Sequence, residues 1–250
     1  MTPGLSRRNI QGMARDTSET EYPEAGRPVE DRPAIAPAPV RIEGRYVILH
    51  PLAEAHATDL LAGLLAEDQV ALQRYTADEP IASLDDVLTL IQKKLAIPAA
   101  AYFAFEDKLS GRIAGFGSLM RTDLPNRVVE IGNVLYTGPL RRSRAGTEAV
   151  YLLVKYAIET LGFRRVEWKC NDHNAASRHA ALRYGFHFEG VFRQHMIVKG
   201  RNRDTAWYSL LDHEWPQRRE AFEQWLAPEN FDAQGRQIMS LAQLNGVGGS

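Results

Sequence analysis

One stretch, LRRSRAGTEAVYLLVKYAIETLG from Leu140 to Gly162, constrains the fold most tightly. It opens on a basic turn in which Arg141, Arg142 and Arg144 surround Ser143, and passes through Ala145, Gly146 and Thr147. Val150, Leu153, Val154, Ala157, Ile158 and Leu161 then recur at the spacing of one buried helical stripe. The first amides of a helix lack internal partners and sit at the positive end of its dipole. A basic, glycine-containing turn in that position is therefore suited to hold a phosphate or pyrophosphate. An ordinary amphipathic helix with a solvated basic cap accounts for the same residues, so the flanking chain has to decide.

Upstream, residues 1–38 mix Pro3, Pro23, Pro28, Pro33 and Pro37 with Glu, Arg, Thr and Ala and show no hydrophobic period, which predicts a disordered leader. Asp16, Glu19, Glu21 and Glu24 are too many acids for an organellar transit peptide. RYVILHPL predicts a strand, and His56 to Leu65 a helix. After a polar gap, Ser83 with Asp86 three residues on predicts a capped helix that Pro98 ends. AYFAFE, RIAGFGSLM and RVVEIGNVLYTG predict three strands joined by short turns. Beyond the organising helix come the strand RRVEWKC, a short helix from Asn174 to about Tyr184, and two long strands joined by KGRN. A helix from Asp212 to about Trp225 follows, and then a loose tail over 227–250.

The 250 residues are 44% hydrophobic and 24% charged, enough for a real core in one domain spanning about 40–226. A net charge of -1 argues against a surface built for DNA. Cys170 is the one cysteine, which rules out an intrachain disulfide and a cysteine metal cluster. His173, His179, His187, His195 and His213 lack the spacing of a metal site, so no metal is expected. No apolar run approaches the roughly 18 residues that span a bilayer, and a cytoplasmic location is expected.

The element order β α α β β β α β α β β resembles the GNAT superfamily of acyl-CoA-dependent N-acyltransferases. Three segments carry the resemblance: EIGNVLYTGPLRRSRAGTEA, NDHNAASRHAALRYGFHFEG and GRNRDTAWYSLLDHEWP, the last similar to the closing hairpin of the RimJ/RimL-like branch. The resemblance implies an α/β fold: a central mixed, mostly antiparallel sheet with a splayed parallel pair, flanked by helices. It implies acetyl-CoA as co-substrate and an amine acceptor, either a protein N-terminus or a small molecule, in a monomer or homodimer. Arg141, Arg142, Ser143, Arg144, Ala145, Gly146 and Thr147 match the pyrophosphate loop, with Arg144 where the family usually has its first glycine. The backbone of Val134, Leu135 and Tyr136 matches the pantetheine and oxyanion strand. Asn171 and Asn174 resemble the asparagines that bind the pantetheine amides, although strand-end and N-cap roles suit them equally.

Acyl transfer needs a base for the amine and a proton for the departing thiolate. Glu130 is the candidate base. Simple alternation puts it on one face with Val128, Gly132, Val134 and Tyr136, where an ion pair with a neighbouring strand is the competing role. Many family members carry an acid tyrosine at the position held here by Ala181, which leaves the hydroxyls of Ser177 and Tyr184. A GNAT-like module that binds acyl-CoA without catalysis, as a sensor or scaffold, is the alternative.

Overall fold

The computed structural model describes residues 26 and 28–246. Two compact units divide between Arg32 and Pro33. The expectations for 1–25, 27 and 247–250 lie outside the described residues. In the first unit, residues 28–32 form no helix or strand.

The second unit is built on one eight-stranded sheet. Its strands are β1 (Ile42–Glu43), β2 (Val47–Pro51), β3 (Ala101–Asp107), β4 (Arg112–Asp123), β5 (Val128–Tyr136), β6 (Arg165–Asn171), β7 (His187–Val198) and β8 (Arg201–Leu211). They lie in the order β1-β2-β3-β4-β5-β6-β8-β7, and every neighbouring pair is antiparallel except β5 and β6. The helices are α1 (Ala57–Leu65), α2 (Gln69–Gln73), α3 (Leu84–Leu95), α4 (Arg144–Lys155), α5 (Ala175–Arg183), α6 (Trp215–Leu226) and α7 (Leu241–Leu244). Helices α1 and α3 cover one face, packing Leu60, Leu64, Val87 and Ile91 on Tyr102, Phe116 and Leu135. The stripe of α4 fills the other face against Phe103, Phe105, Ile131 and Trp168, where α5, α6 and α7 complete the layer. Among the described residues, no helix is long and apolar enough to cross a membrane.

The local signals explain most of these elements. Ser83 Oγ accepts from Asp86 N at 3.2 Å while Asp86 Oδ2 accepts from Ser83 N at 2.9 Å, so α3 starts on a reciprocal cap. A π-turn over Tyr156–Thr160 ends α4, and Gly162, at φ +75°, turns the chain into β6. This crossover makes β5 and β6 parallel.

Four expectations need correction. The polar gap contains α2, nucleated by Asp68, whose carboxylate accepts from Val70 N and Ala71 N at 3.0 and 3.1 Å. Order begins before residue 38: Ala34 N donates to Leu124 O and Ile35 N to Leu161 O. The segment expected as a loose tail is packed through residue 246: Leu241 is fully buried, Arg218 Nη1 donates to Asn245 O, and Asn245 Nδ2 donates to Arg183 O. Finally, Glu130 does not share a face with Val134 and Tyr136. Ser118 faces Gly132 and Phe116 faces Leu135, so Asn133 and Val134 together oppose Gly117. This bulge, with Asn133 at φ +52°, reverses the alternation. Val134 and Tyr136 consequently point to the α4 side and Leu135 to the α1 side.

Glu148 joins α4 to the start of β2. Its buried carboxylate accepts three amide hydrogens, from Arg45, Tyr46 and Val47 at 2.9, 2.6 and 3.0 Å. Gly44 leaves the room, since a Cβ there would lie 2.4 Å from Glu148 Oε2. Glu148→Ala strands those amides and is expected to cost about 3–5 kcal/mol in urea denaturation, with Glu148→Gln losing roughly half. A loss under ~1 kcal/mol would refute this account of the joint.

Candidate active site

The parallel register runs Val128↔Arg165, Val129↔Val166, Glu130↔Glu167 and Ile131↔Trp168 and then stops, while β6 stays paired to β8 through Asn171. The two strands therefore part just where β5 bulges. Beyond the bulge, Thr137 N donates to Ala114 O. By alternation Leu135 exchanges bonds with Phe116, and the backbone groups of Val134 and Tyr136 turn to the side that β6 has left. The Tyr136 carbonyl accepts from Arg141 Nε at 3.2 Å, and by the same alternation the Val134 backbone and the Tyr136 amide face the gap that β6 leaves.

The loop between β5 and α4 is held from several directions. Ser143 caps the helix: its Oγ accepts from Gly146 N at 3.0 Å, and its carbonyl accepts from Thr147 Oγ1 at 3.0 Å. A Cβ on Gly146 would lie 2.1 Å from Leu140 O, so the turn closes this tightly only around glycine. Among the described residues, the amides of Arg142, Arg144 and Ala145 find no acceptor. The three arginines diverge. Arg141 pairs with Glu67 at 2.7 Å, Arg142 is exposed at φ +54°, and Arg144 lies 4.9 and 4.6 Å over the rings of Tyr46 and Phe231. The Arg144 side chain is thus occupied on the flank of α4, and only its amide faces the loop mouth.

Behind the loop, Tyr136 Oη donates to Gly146 O at 2.7 Å. Burial, then the adjoining Tyr184 hydroxyl, hold the Tyr136 phenol well above its ordinary range. Tyr184 is itself buried, stacked on Phe222 at 6.1 Å and edge-on to Trp168 at 5.9 Å, and burial raises its pKa too. Ser177 is half-exposed on α5, where Trp168 Nε1 donates to its Oγ at 2.9 Å. That bond uses a lone pair and leaves the serine proton free to donate. Asn174 caps α5 by accepting from Ser177 N at 3.1 Å, and Asn171 Oδ1 accepts from His173 N at 2.9 Å, so both perform the strand-end and N-cap roles. Cys170 is buried, and burial raises its thiol pKa.

On the opposite face of β5 and β6, the α1/α3 layer stops and a charged row begins. Glu130 is 6% exposed, with Lys169 Nζ 3.1 Å and Arg121 Nε 3.6 Å from its Oε2. Arg121 stands beyond hydrogen-bond distance and Lys169 is not aligned for one, so among the described residues that buried oxygen has ion-pair neighbours but no hydrogen-bond partner. Lys169 also reaches Glu167 at 2.7 Å and stands 3.8 Å over the Trp207 ring. Gly132 makes space for this carboxylate, since a Cβ there would lie 3.0 Å from Glu130 Oε1 and 2.6 Å from Met120 Sδ. Lys169 and Glu167 escaped sequence reasoning, although alternation in RRVEWKC sets them opposite Val166, Trp168 and Cys170. Next to the row, a cavity of about 790 Å³ lies between α2 with its following loop and the β7–β8 hairpin. Asn171 and Arg203 line its sheet side.

Comparison with known proteins agrees with this geometry. The family model described as "Acetyltransferase (GNAT) domain" matches residues 47–187, over half of the chain. The crystal structure of a GCN5-related N-acetyltransferase from Brucella melitensis superposes with a TM-score of 0.83 at 43% identity, covering 86% of this chain and 98% of that one. The "Uncharacterized N-acetyltransferase YoaA" of Bacillus subtilis (strain 168) is 26% identical over 173 residues, 68% of this chain and 96% of that protein. The "Putative ribosomal N-acetyltransferase YdaF" of the same organism is 35% identical over 105 residues, 42% of this chain and only 57% of YdaF. The cradle fits the co-substrate of that family, acetyl-CoA, in having open helix-start amides and open strand backbone beside each other. The chain belongs to the GNAT family and is an acyl-CoA-dependent acetyltransferase.

Proposed function

We propose that the protein transfers an acetyl group from acetyl-CoA directly to a primary amine. The observation that carries this reading is the cleft itself: the bulge at Asn133 opens backbone groups of Val134 and Tyr136 beside the unpartnered amides of Arg142, Arg144 and Ala145. The helix-start amides hold the pyrophosphate, with Arg142 free to add a charge, and the opened strand holds the pantetheine and the thioester oxygen. In the reaction the amine nitrogen bonds to the thioester carbon, the carbon–sulfur bond breaks, one proton leaves the nitrogen, and the thiolate takes up a proton. The Glu130 carboxylate accepts the amine proton, directly or through water, from the face opposite α4. Lys169, 3.1 Å away, offsets the cost of burying that carboxylate and aims it. Ser177, oriented by the Trp168 indole, supplies the proton to sulfur; Tyr184 is too enclosed to do so and braces the first turn of α4 through Tyr136.

The assay is thiol release from acetyl-CoA over a panel of amines. Glu130→Gln is expected to lower kcat/KM by about 10²–10⁴ with acetyl-CoA affinity unchanged. An unchanged kcat/KM would reduce Glu130 to a structural ion pair. Ser177→Ala is expected to lower kcat by roughly tenfold to a hundredfold without changing the affinity for acetyl-CoA. Gly146→Ala pushes a methyl group against Leu140 O and is expected to weaken acetyl-CoA binding tenfold or more in calorimetry while circular dichroism stays native. Binding of acetyl-CoA with no turnover of any amine would favour a non-catalytic acyl-CoA sensor or scaffold instead.

A further inference from the structure

The cavity beside the charged row is lined by two residues, Gln73 and Arg203, that each carry a buried donor without an acceptor among the described residues. Gln73, only 2% exposed, enters from α2; its Oε1 accepts from Thr76 Oγ1 at 2.8 Å, and its Nε2 has no partner. Arg203 enters from β8, and its buried Nε also lacks a partner. Burial, the largest influence, lowers the Arg203 pKa, and the field of Glu130 reaches it from the sheet. Arg74 and Arg201 add positive charge, while Glu79 is the one carboxylate among the lining residues. Lys199 spends its ammonium on the carbonyls of Gln73 and Asp78, which ties the β7–β8 hairpin to the α2 segment and fixes the cavity walls. Donors enclosed without acceptors carry a desolvation cost that an oxygen anion relieves, because it can accept from the guanidinium and the amide together. A volume of about 790 Å³ suits a small molecule. Asn171, two residues beyond Lys169 on the same face of β6, lines the cavity with Arg203, and Lys169 pairs with Glu130, so one molecule can present an amine to the base and an anion to the arginine.

We infer that the acceptor is a small primary amine carrying an anionic oxygen group, a carboxylate or a phosphate, which Arg203 and Gln73 hold. This inference rests on the acetyltransferase reading above and names the substrate class for the same site. Arg203 and Gln73 would then set specificity by holding the far end of the acceptor, at a distance from the transferred acetyl group.

The test uses the full chain with acetyl-CoA and two matched pairs: 4-aminobutyrate against its methyl ester, and O-phosphoethanolamine against ethanolamine. At least one anionic member is expected to exceed its neutral partner in kcat/KM by roughly tenfold or more, and the pair that does so tells carboxylate from phosphate. Arg203→Gln should raise KM for that amine about tenfold to a hundredfold with a much smaller change in kcat. Arg203→Lys should restore part of the loss, which separates lost charge from lost folding. Equal or better use of both neutral partners would overturn the inference. If no amine releases thiol, the acetyltransferase reading fails, and calorimetric titration of the same compounds into the CoA-saturated chain judges the anion site alone. Heat from an anionic compound that disappears in Arg203→Gln would uphold the site, and no heat from either anionic compound would sink it.

Discussion

One extra residue in β5 governs the architecture of the cleft. Where Asn133 and Val134 together oppose Gly117, the strand twists and its later residues exchange faces. The bulge does three things at once. It ends the pairing with β6 at Ile131, so the one parallel pair in the sheet becomes a fork. It turns the backbone of Val134 and Tyr136 into the fork. It also sends Tyr136 back under α4, where its hydroxyl braces the Gly146 carbonyl. A regular strand would have kept Glu130 and Tyr136 on one face and left no open backbone between the two sides of the sheet. Asn133 is suited to the left-handed conformation, and its Nδ2 donates to Tyr102 Oη at 2.6 Å, so tertiary contacts hold the kink.

The helix behind the fork is positioned by contacts that a simple phosphate-loop pattern does not contain. Glu148 clamps the first turns of α4 to the amides leading into β2, and Arg144, one turn earlier, lies between Tyr46 and Phe231. Both contacts depend on segments remote in sequence, and Phe231 comes from the C-terminal stretch packed on α6. The arginine at the usual glycine position therefore acquires a structural use: its side chain fastens the helix flank while its amide remains at the helix start. Gly146 keeps the close approach that glycine uniquely permits.

Sequence patterns disclosed the parts of this structure that local physics controls. The α4 stripe, the Ser83–Asp86 cap, the three-strand meander and the crossover between β5 and β6 follow from period, cap chemistry and turn residues within a few positions of each element. The bulge was illegible because its distinguishing residue is an asparagine inside an otherwise regular alternation, and register is decided by the partner strand. The Lys169 bridge was equally hidden, since it requires knowing that Glu130 and Glu167 lie side by side on parallel strands. The packed C-terminal stretch has a polar, glycine-containing sequence typical of loose tails. It is ordered by a few long-range contacts, such as Trp225 Nε1 donating to Gln237 Oε1 at 2.9 Å, which no local period reports. Gln73 and Arg203 carry no motif at all and become conspicuous only through their missing partners.

The two faces of the fork carry opposite electrostatic tasks, and this division accounts for the placement of charge. On the α4 side, apolar packing surrounds a few oriented dipoles: helix-start amides, the Ser177 hydroxyl and the tyrosine pair. On the opposite side, Lys169 joins Glu130 to Glu167, and Arg121 and Arg203 stand nearby. A carboxylate this enclosed carries a large desolvation cost when isolated, and the surrounding cations offset it. Lys169 divides its contacts between Glu167 at 2.7 Å, Glu130 at 3.1 Å and the Trp207 ring. Positive charge continues into the adjoining cavity through Arg203, Arg201 and Arg74. On the proposed reading, the cations that stabilise the buried carboxylate and those that attract an anionic acceptor form one continuous field, and the sheet needs no separate device for each.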